Sequence, residues 1–222
     1  MKVNKITLIA FSILLLIMAG FWICESTESS NSEKHRASAE NNKSQVKKKN
    51  KTIFRDYKVG QVVDSLNGVY VYYNGKIGHV SGRNLANDGY NLGLKYQCVE
   101  FVKRYYYKHL NHIMPNSYGH AKDFFGTSVA DGQINPERDL IQYHNPGSSM
   151  PKVNDLIVFK GTTFNQYGHV AIISKVFDNQ IEIIQQNPGP LAHSRRNIDL
   201  FKKGRKWKVD NHLVLGWLRK KP

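Results

Sequence analysis

The sequence is poor in cysteine. Its 222 residues include only Cys24 and Cys98, and Cys24 closes a hydrophobic run near the N-terminus. The rest of the chain therefore has a single thiol, which excludes a small fold held together by disulfides. A C-x-x-C spacing is also missing, so we expect no metal site. Neither a nucleotide-binding glycine loop nor a Gly-x-Ser-x-Gly elbow occurs, and we expect no cofactor.

Acidic residues are scarce as well. The chain has 17 Asp and Glu against 32 Lys and Arg, a formal net charge of +15. Beyond residue 50 the counts are 13 and 24, so the globular part carries +11 of that charge. This excess predicts attraction to an anionic polymer or surface. Nothing besides charge points to nucleic acid, which we do not expect as a partner.

The N-terminus contains a long uncharged run. Residues 6–23 are eighteen residues without a charge, preceded by Lys2 and Lys5 and followed by Glu25. Such a run indicates that residues 1–24 are a signal peptide or a membrane anchor. Retention, cleavage and lipidation at Cys24 all stay open. The flanking charges favour an N-terminus inside the cell and a domain outside it, an extracytoplasmic location in a bacterium.

Residues 25–51 contain no aromatic and almost no aliphatic side chains. Because nothing there can offset the entropy of ordering, we expect a disordered basic tether spanning about 30 Å. From residue 52 to residue 222 aromatic and β-branched residues return, and we expect one globular domain.

Apolar periodicity predicts one amphipathic helix early in this domain, over residues 97–110, with Glu100, Lys103 and Arg104 off its apolar face. A second helix is expected over 118–125, a long loop over 81–95, and irregular sequence around Pro136, Pro146 and Pro151. Strands are predicted at 69–73, 155–159, 169–177, 180–186 and 212–218. One early helix packed on a late antiparallel sheet is an α+β architecture.

Two residues in these elements suggest nucleophilic catalysis. Cys98 opens the predicted helix, where the helix dipole and unpaired N–H groups favour a thiolate. His169 begins an apolar strand, which would hold its imidazole at the end of a rigid element. A cysteine at a helix start facing a histidine on a strand is the pair that thiol catalysis requires. His79, in a second Gly-His-Val, is the weaker candidate because a loop follows it.

A third polar group should orient the imidazole, and the neighbouring strand ends in Gln185, Gln186 and Asn187. The turn between the two strands decides among them, because alternate residues point to opposite faces. A three-residue turn would place Gln185 and Asn187 on the face of His169. A two-residue turn at Asp178 and Asn179 would place Gln186 there.

Four blocks of this sequence resemble the CHAP domain, the cysteine, histidine-dependent amidohydrolase/peptidase family. In order they are QCVEF at 97–101, GHVAII at 168–173, QQN at 185–187 and LGW at 215–217. Within the family they are most similar to the amidase domain of glutathionylspermidine synthetase/amidase. The resemblance implies a papain-like fold, with a helix carrying the cysteine packed on an antiparallel sheet carrying the histidine.

The resemblance also implies roles for individual residues. Cys98 would be the nucleophile, His169 the base and Gln185 the third catalytic residue, where the amidase has a glutamate. An amide orients an imidazole through its carbonyl oxygen but stabilises imidazolium less than a carboxylate does. Gln97 is a candidate oxyanion donor beside the Cys98 N–H, and Asn187 a supporting residue.

We therefore expect a thiol amidase or endopeptidase that cleaves amide bonds in peptidoglycan peptides. Its partners would be peptidoglycan or another anionic wall polymer, and the membrane through residues 6–23. An amidase for a small conjugate such as glutathionylspermidine is the alternative, although a basic domain should repel a polycation. A weakly active wall-binding module is a third possibility.

Overall fold

Antiparallel strands make up most of the structure, a computed structural model that describes residues 57–189 and 192–222. Residues Tyr57–Pro222 form one compact unit. The predicted anchor (1–24) and tether (25–51) lie outside the described residues. No helix among the described residues is both long enough and apolar enough to cross a bilayer.

Within the described ranges the strands are β1 (Val62–Leu66), β2 (Val69–Tyr72), β3 (Arg83–Leu85), β4 (Asn91–Leu94), β5 (Gln133–Asn135), β6 (Leu140–His144), β7 (Leu156–Phe159), β8 (His169–Val176), β9 (Gln180–Ile184), β10 (Arg195–Lys203), β11 (Lys206–Val209) and β12 (Val214–Lys220). Eight of them form an antiparallel sheet of order β11-β10-β9-β8-β7-β12-β6-β5, and β1-β2 and β3-β4 are separate two-stranded hairpins.

The helix α1 runs over Cys98–Leu110 and begins within one residue of the start that the sequence predicts. Gln97 precedes it in an extended conformation, with φ −83° and ψ 160°. The helix ends at Asn111, whose left-handed conformation (φ 48°) lets its N–H reach the carbonyl of Tyr106. Gly93 lies close to the first turn: at φ +125°, a Cβ there would approach the Glu100 backbone to 3.3 Å.

The core has two parts, one on each face of the sheet. Between α1 and the sheet lie the helix residues Phe101, Val102 and Tyr105, with strand residues such as Val170 and Ile172. The other part is enclosed by the sheet itself, because the segment after β6 pairs with β11 at the opposite end. Gly147 and Trp207 exchange two backbone hydrogen bonds of 2.8 and 2.9 Å.

The predicted α+β class is confirmed, and α1 is the helix expected over 97–110. The second predicted helix, over 118–125, is a single 3-10 turn at Ala121–Phe124. The loop predicted over 81–95 was wrong, because it contains the hairpin β3-β4. Its glycine and asparagine residues form the turn and bulge of that hairpin. The segment predicted as irregular contains β5 and β6, and the strongly basic β10 and β11 carried too little apolar alternation to predict.

The polar side of α1 is buried rather than exposed. Glu100, Lys103 and Arg104 are 1%, 1% and 5% exposed, because the hairpins and the end of β9 cover that side. Buried charges need partners. The partners of these three residues shape the region around Cys98.

Candidate active site

Cys98 is the first residue of α1 and its thiol is free. The backbone N–H groups of Val99 and of Cys98 itself, which have no carbonyl partner at a helix start, lie near its sulfur and act to lower the pKa of the thiol. A third N–H comes from Val170, the residue after His169 on β8. The sulfur therefore lies where the helix start meets the beginning of β8.

His169 begins β8, opposite Phe159 on β7. Gly168 precedes it with φ +73°, and a Cβ there would lie 2.5 Å from the Phe159 carbonyl oxygen. Only glycine fits this approach, so it fixes how the chain enters β8. Cys98 and His169 line the same cavity of about 670 Å³. Among the described residues no hydrogen bond joins the sulfur to the imidazole.

Gln185 is the residue that contacts the imidazole. The Nε2–H of His169 donates to Oε1 of Gln185 at 3.0 Å, and Nε2 of Gln185 donates to the His193 carbonyl at 3.0 Å. Because a carbonyl oxygen can only accept a hydrogen bond, the NH2 group of Gln185 must face His193. The amide oxygen of Gln185 therefore faces the imidazole ring. The neutral imidazole then carries its proton on Nε2, which leaves the lone pair on Nδ1.

A β-bulge selects Gln185. The strands are joined by a two-residue turn, with Phe177 bonded to Gln180, which alone would place Gln186 on the face of His169. The register shifts by one residue at Ser174, between the pairs Ile173↔Ile183 and Lys175↔Glu182. This extra residue reverses the face of everything that follows on one strand. At the bulge, the Ser174 hydroxyl lies within hydrogen-bond distance of both the backbone carbonyl and the Oε1 atom of Glu182, either of which can accept its proton.

Gln186 points the other way and joins three elements. It is completely buried. Its Oε1 accepts the Tyr72 N–H at 2.8 Å, and its Nε2 donates to Glu100 Oε2 at 2.8 Å and to the Gln97 carbonyl at 3.0 Å. Gln186 therefore ties the end of β9 to β2 and to the start of α1.

Gln97 and Asn187, the two supporting residues expected from the resemblance, contact each other. Nδ2 of Asn187 donates to Oε1 of Gln97 at 2.7 Å. Nε2 of Gln97 donates to the carbonyls of Ile77 (3.2 Å) and His79 (2.8 Å), so both of its hydrogens have acceptors. An oxyanion role for Gln97 would require this amide to exchange partners. The His79 ring lies 2.9 Å from the Ser81 hydroxyl.

The sequence indicated neither Glu100 nor Arg104 as part of the site. Oε1 of Glu100 accepts from Arg104 Nε at 2.6 Å and from Asn84 Nδ2 at 2.7 Å. With the bond from Gln186, one buried carboxylate connects α1, the β3-β4 hairpin and the end of β9. The only available signal was charge on the polar side of a helix, which normally means a solvated surface.

The surroundings of Cys98 and His169 favour the neutral form of both side chains. Burial raises the pKa of the Cys98 thiol, although the three N–H groups around the sulfur act in the opposite direction. Burial also lowers the pKa of His169 to about 4, an effect that the bond to Gln185 opposes and the charge of Arg196 reinforces. The thiolate expected from the helix start is therefore not favoured, because desolvation outweighs the N–H groups. Proton transfer from sulfur must accompany attack on a substrate.

No cluster of three or more metal-ligating His, Cys, Asp or Glu side chains occurs in the parts of the chain that the structure describes.

The resemblance drawn from the sequence is confirmed by comparison with known families. The model of the CHAP domain matches residues 87–187, the segment that contains Cys98, His169 and Gln185. The mostly antiparallel sheet with a single described α-helix is consistent with the papain-like fold that the resemblance implies.

Curated relatives match part of this chain. Trypanothione synthetase of Crithidia fasciculata is 30% identical over 129 residues, covering 58% of this chain and 20% of the relative. Bifunctional glutathionylspermidine synthetase/amidase of Escherichia coli is 28% identical over 148 residues, covering 61% and 23%. The aligned part of this chain thus spans about a fifth of these relatives' length. Among solved structures, the crystal structure of Ly7917 is similar with a TM-score of 0.34 at 16% identity, covering 63% of this chain and 56% of that one.

The buried carboxylate should be essential for stability. We predict that Glu100→Ala lowers the free energy of unfolding by about 3–5 kcal/mol, because Arg104 keeps a buried charge without its partner. Urea unfolding followed by tryptophan fluorescence measures this loss. Glu137→Ala removes an exposed carboxylate and should cost less than about 1 kcal/mol. Equal small losses in both variants would contradict the role given to Glu100.

Burial of His169 should make stability depend on pH. The folded protein holds the imidazole neutral down to about pH 4, whereas the unfolded chain protonates it near its ordinary pKa of 6.5. The stabilisation is therefore complete above pH 6.5 and is lost as the pH falls toward 4. Between pH 7 and pH 5 the wild type should lose about 2 kcal/mol more than His169→Gln in urea unfolding. Parallel pH profiles for the two proteins would show that the imidazole is not held neutral.

Proposed function

We propose that the chain, whose residues 87–187 match the model of the CHAP domain, is a cysteine-dependent amidohydrolase or peptidase that cleaves peptidoglycan peptides outside the cytoplasm. One observation carries the proposal. The thiol of Cys98, at a helix start, shares a cavity with His169, whose Nε2 is bound by Gln185. These are the nucleophile, base and orienting group that amide hydrolysis requires.

Attack begins from the neutral pair. Nδ1 of His169 takes the thiol proton while the Cys98 sulfur bonds to the carbonyl carbon of the substrate, forming a tetrahedral intermediate. The imidazolium then gives that proton to the leaving amine as the carbon–nitrogen bond breaks. Water, deprotonated by the same nitrogen, hydrolyses the thioester and restores the thiol. Gln185 keeps the Nδ1 lone pair available because its Oε1 accepts a hydrogen bond from Nε2–H, which holds the resting proton on Nε2.

The helix start supplies the groups for the oxyanion. The N–H groups of Cys98 and Val99 face the sulfur at rest and carry the positive end of the α1 dipole. When the sulfur becomes bonded to carbon, negative charge moves to the carbonyl oxygen beside it. Backbone N–H donors fixed in this position stabilise that charge at no cost in reorganisation.

A basic hairpin supports an anionic wall polymer as partner. The hairpin β10-β11 pairs over Leu200–Lys203 and Lys206–Val209, and its cations lie on the surface. The exposed ones are Arg196, Lys202, Lys203, Arg205 and Lys206. Lys202 lies 5.7 Å from the Trp207 ring centre, so cations and aromatic surface alternate. Phosphate- or carboxylate-rich wall chains match this chemistry.

The N-terminal sequence supports a location outside the cytoplasm. The uncharged run at residues 6–23 would export the domain or anchor it in the membrane, and the 25–51 tether would let it reach the wall. Export places the hydrolase beside peptidoglycan and removes it from cytoplasmic conjugates.

A second candidate function is hydrolysis of a small conjugate such as glutathionylspermidine. The name of the Escherichia coli relative, a glutathionylspermidine synthetase/amidase, favours it. The net charge of +11 beyond residue 50 opposes it, because a cationic domain repels a polyamine.

We predict that the protein releases peptide fragments from purified bacterial walls and that Cys98→Ala reduces the rate at least ~1000-fold, because the nucleophile is lost. Turbidity follows digestion and mass spectrometry of the fragments identifies the bond. Cys98→Ala should still sediment with walls, and less so as NaCl rises from about 0.05 to about 0.5 M.

Other outcomes separate the alternatives. Wall binding without digestion by the wild type would indicate a binding module. Hydrolysis of glutathionylspermidine but not of walls would favour the second candidate. Unchanged digestion by Cys98→Ala would refute thiol catalysis altogether.

Gln185→Glu tests the orienting role. A carboxylate at the Oε1 position should raise the pKa of His169 by roughly 1–3 and preserve or raise activity, since it stabilises imidazolium. Ring-proton NMR titration measures the pKa, and wall digestion measures the activity. Gln185→Ala, which leaves Nε2 without its acceptor, should be the less active variant. Loss of activity in Gln185→Glu together with an unchanged pKa would speak against this assignment.

A further inference from the structure

The cavity extends from the catalytic pair to a second wall built by the β3-β4 hairpin and the segment around Tyr118. Arg83, Asn91 and Tyr118 line that wall, while Cys98 and His169 line the other. The hydrolytic mechanism uses none of the three residues on the second wall. They therefore remain available to bind a part of the substrate next to the scissile bond.

Arg83 is held in place on this wall. Its Nη1 donates to Oδ1 of Asn91 at 2.9 Å, and its guanidinium lies 5.7 Å from the Tyr118 ring centre. Asn91 is itself fixed, because its Nδ2 donates to the Ser117 carbonyl at 3.0 Å and its Oδ1 accepts the Gly93 N–H at 3.1 Å. A guanidinium has five donor hydrogens, and one bond to Asn91 leaves the others for a ligand.

The charge of Arg83 is not neutralised within the structure. Among the described residues no carboxylate lies at ion-pair distance from it. The acidic residue on the cavity wall is Asp123, whose Oδ2 accepts the His120 N–H at 2.8 Å, and it lies near the guanidinium of Arg138. Lys103 lies behind this wall, where its Nζ donates to the carbonyls of Asn91 and Ser117. Burial, together with the charges of Arg138 and Arg83, lowers the pKa of Lys103 to about 7, so the lasting charge on this wall is that of Arg83.

We propose that Arg83 binds a free carboxylate of the substrate, next to the amide bond that Cys98 attacks. A carboxylate accepts two parallel N–H bonds from a guanidinium, a geometry that a carboxamide cannot match. The proposal rests on the proposed hydrolase function and names its substrate class: peptides with a free carboxylate close to the scissile amide. Peptides whose carboxylate is amidated are the poor substrates.

The test compares two synthetic peptides, L-alanyl-γ-D-glutamyl-L-lysine with a free glutamyl α-carboxylate and the same peptide with that group as a carboxamide. Binding to Cys98→Ala, followed by NMR titration, needs no turnover. The free acid should bind at least ~10-fold more tightly than the amide. Cys98→Ala combined with Arg83→Gln should bind both equally, and combined with Arg83→Lys should recover part of the preference.

The active protein supplies the second readout. Walls with free glutamyl carboxylates should be digested faster than amidated walls, and Arg83→Gln should remove this preference chiefly through KM. Lys108→Gln removes a charge from the exposed far end of α1 and should keep the preference. A preference that survives Arg83→Gln, or none in the wild type, overturns the proposal. If Cys98→Ala digests walls normally, the hydrolase function fails instead, while the binding measurement still decides the role of Arg83.

Discussion

The structure depends on one buried carboxylate. Glu100 accepts hydrogen bonds from Arg104, Asn84 and Gln186, so a single charged group in the first turn of α1 joins the helix to the β3-β4 hairpin and to the end of β9. Each of these elements contributes residues that line the cavity or contact His169. Burying this carboxylate costs free energy that only a complete set of donors offsets. The arrangement therefore specifies the site as a unit, because a missing donor affects all three elements.

The sequence allowed the positions of Cys98 and His169 in the fold to be predicted, since both residues occur at element boundaries. Cys98 follows a glycine-rich segment at the beginning of an apolar period of 3.6, and His169 precedes an unbroken apolar strand. The third residue was not accessible in the same way. It depends on the register between β8 and β9, and the register changes at Ser174, where the sequence SKVF looks like ordinary strand. The local pattern of apolar and polar residues indicates where a helix or strand begins. It carries little information on a one-residue bulge, because tertiary packing selects the position of the bulge.

The same distinction explains the buried charges of α1. Periodicity identifies the apolar face, but it cannot show that the opposite face is covered as well. Residues distant in sequence provide that cover, namely the β3-β4 hairpin and Gln186. Burial is also the main cause of the raised pKa of Cys98 and the lowered pKa of His169, so the neutral thiol and imidazole follow from three-dimensional packing. The glutamine at position 185 suits this state, because a neutral imidazole needs an acceptor for Nε2–H and not a counter-ion.

The position of β12 has a consequence for biosynthesis. This strand, Val214–Lys220, lies between β7 and β6 in the middle of the main sheet. Until it has emerged from the ribosome, β6 and β7 have no neighbour on the sides they present to each other. The sheet can therefore be completed only after β12, the last of its strands in sequence, has been synthesised. Loss of β12 by proteolysis should also be more damaging than loss of an edge strand.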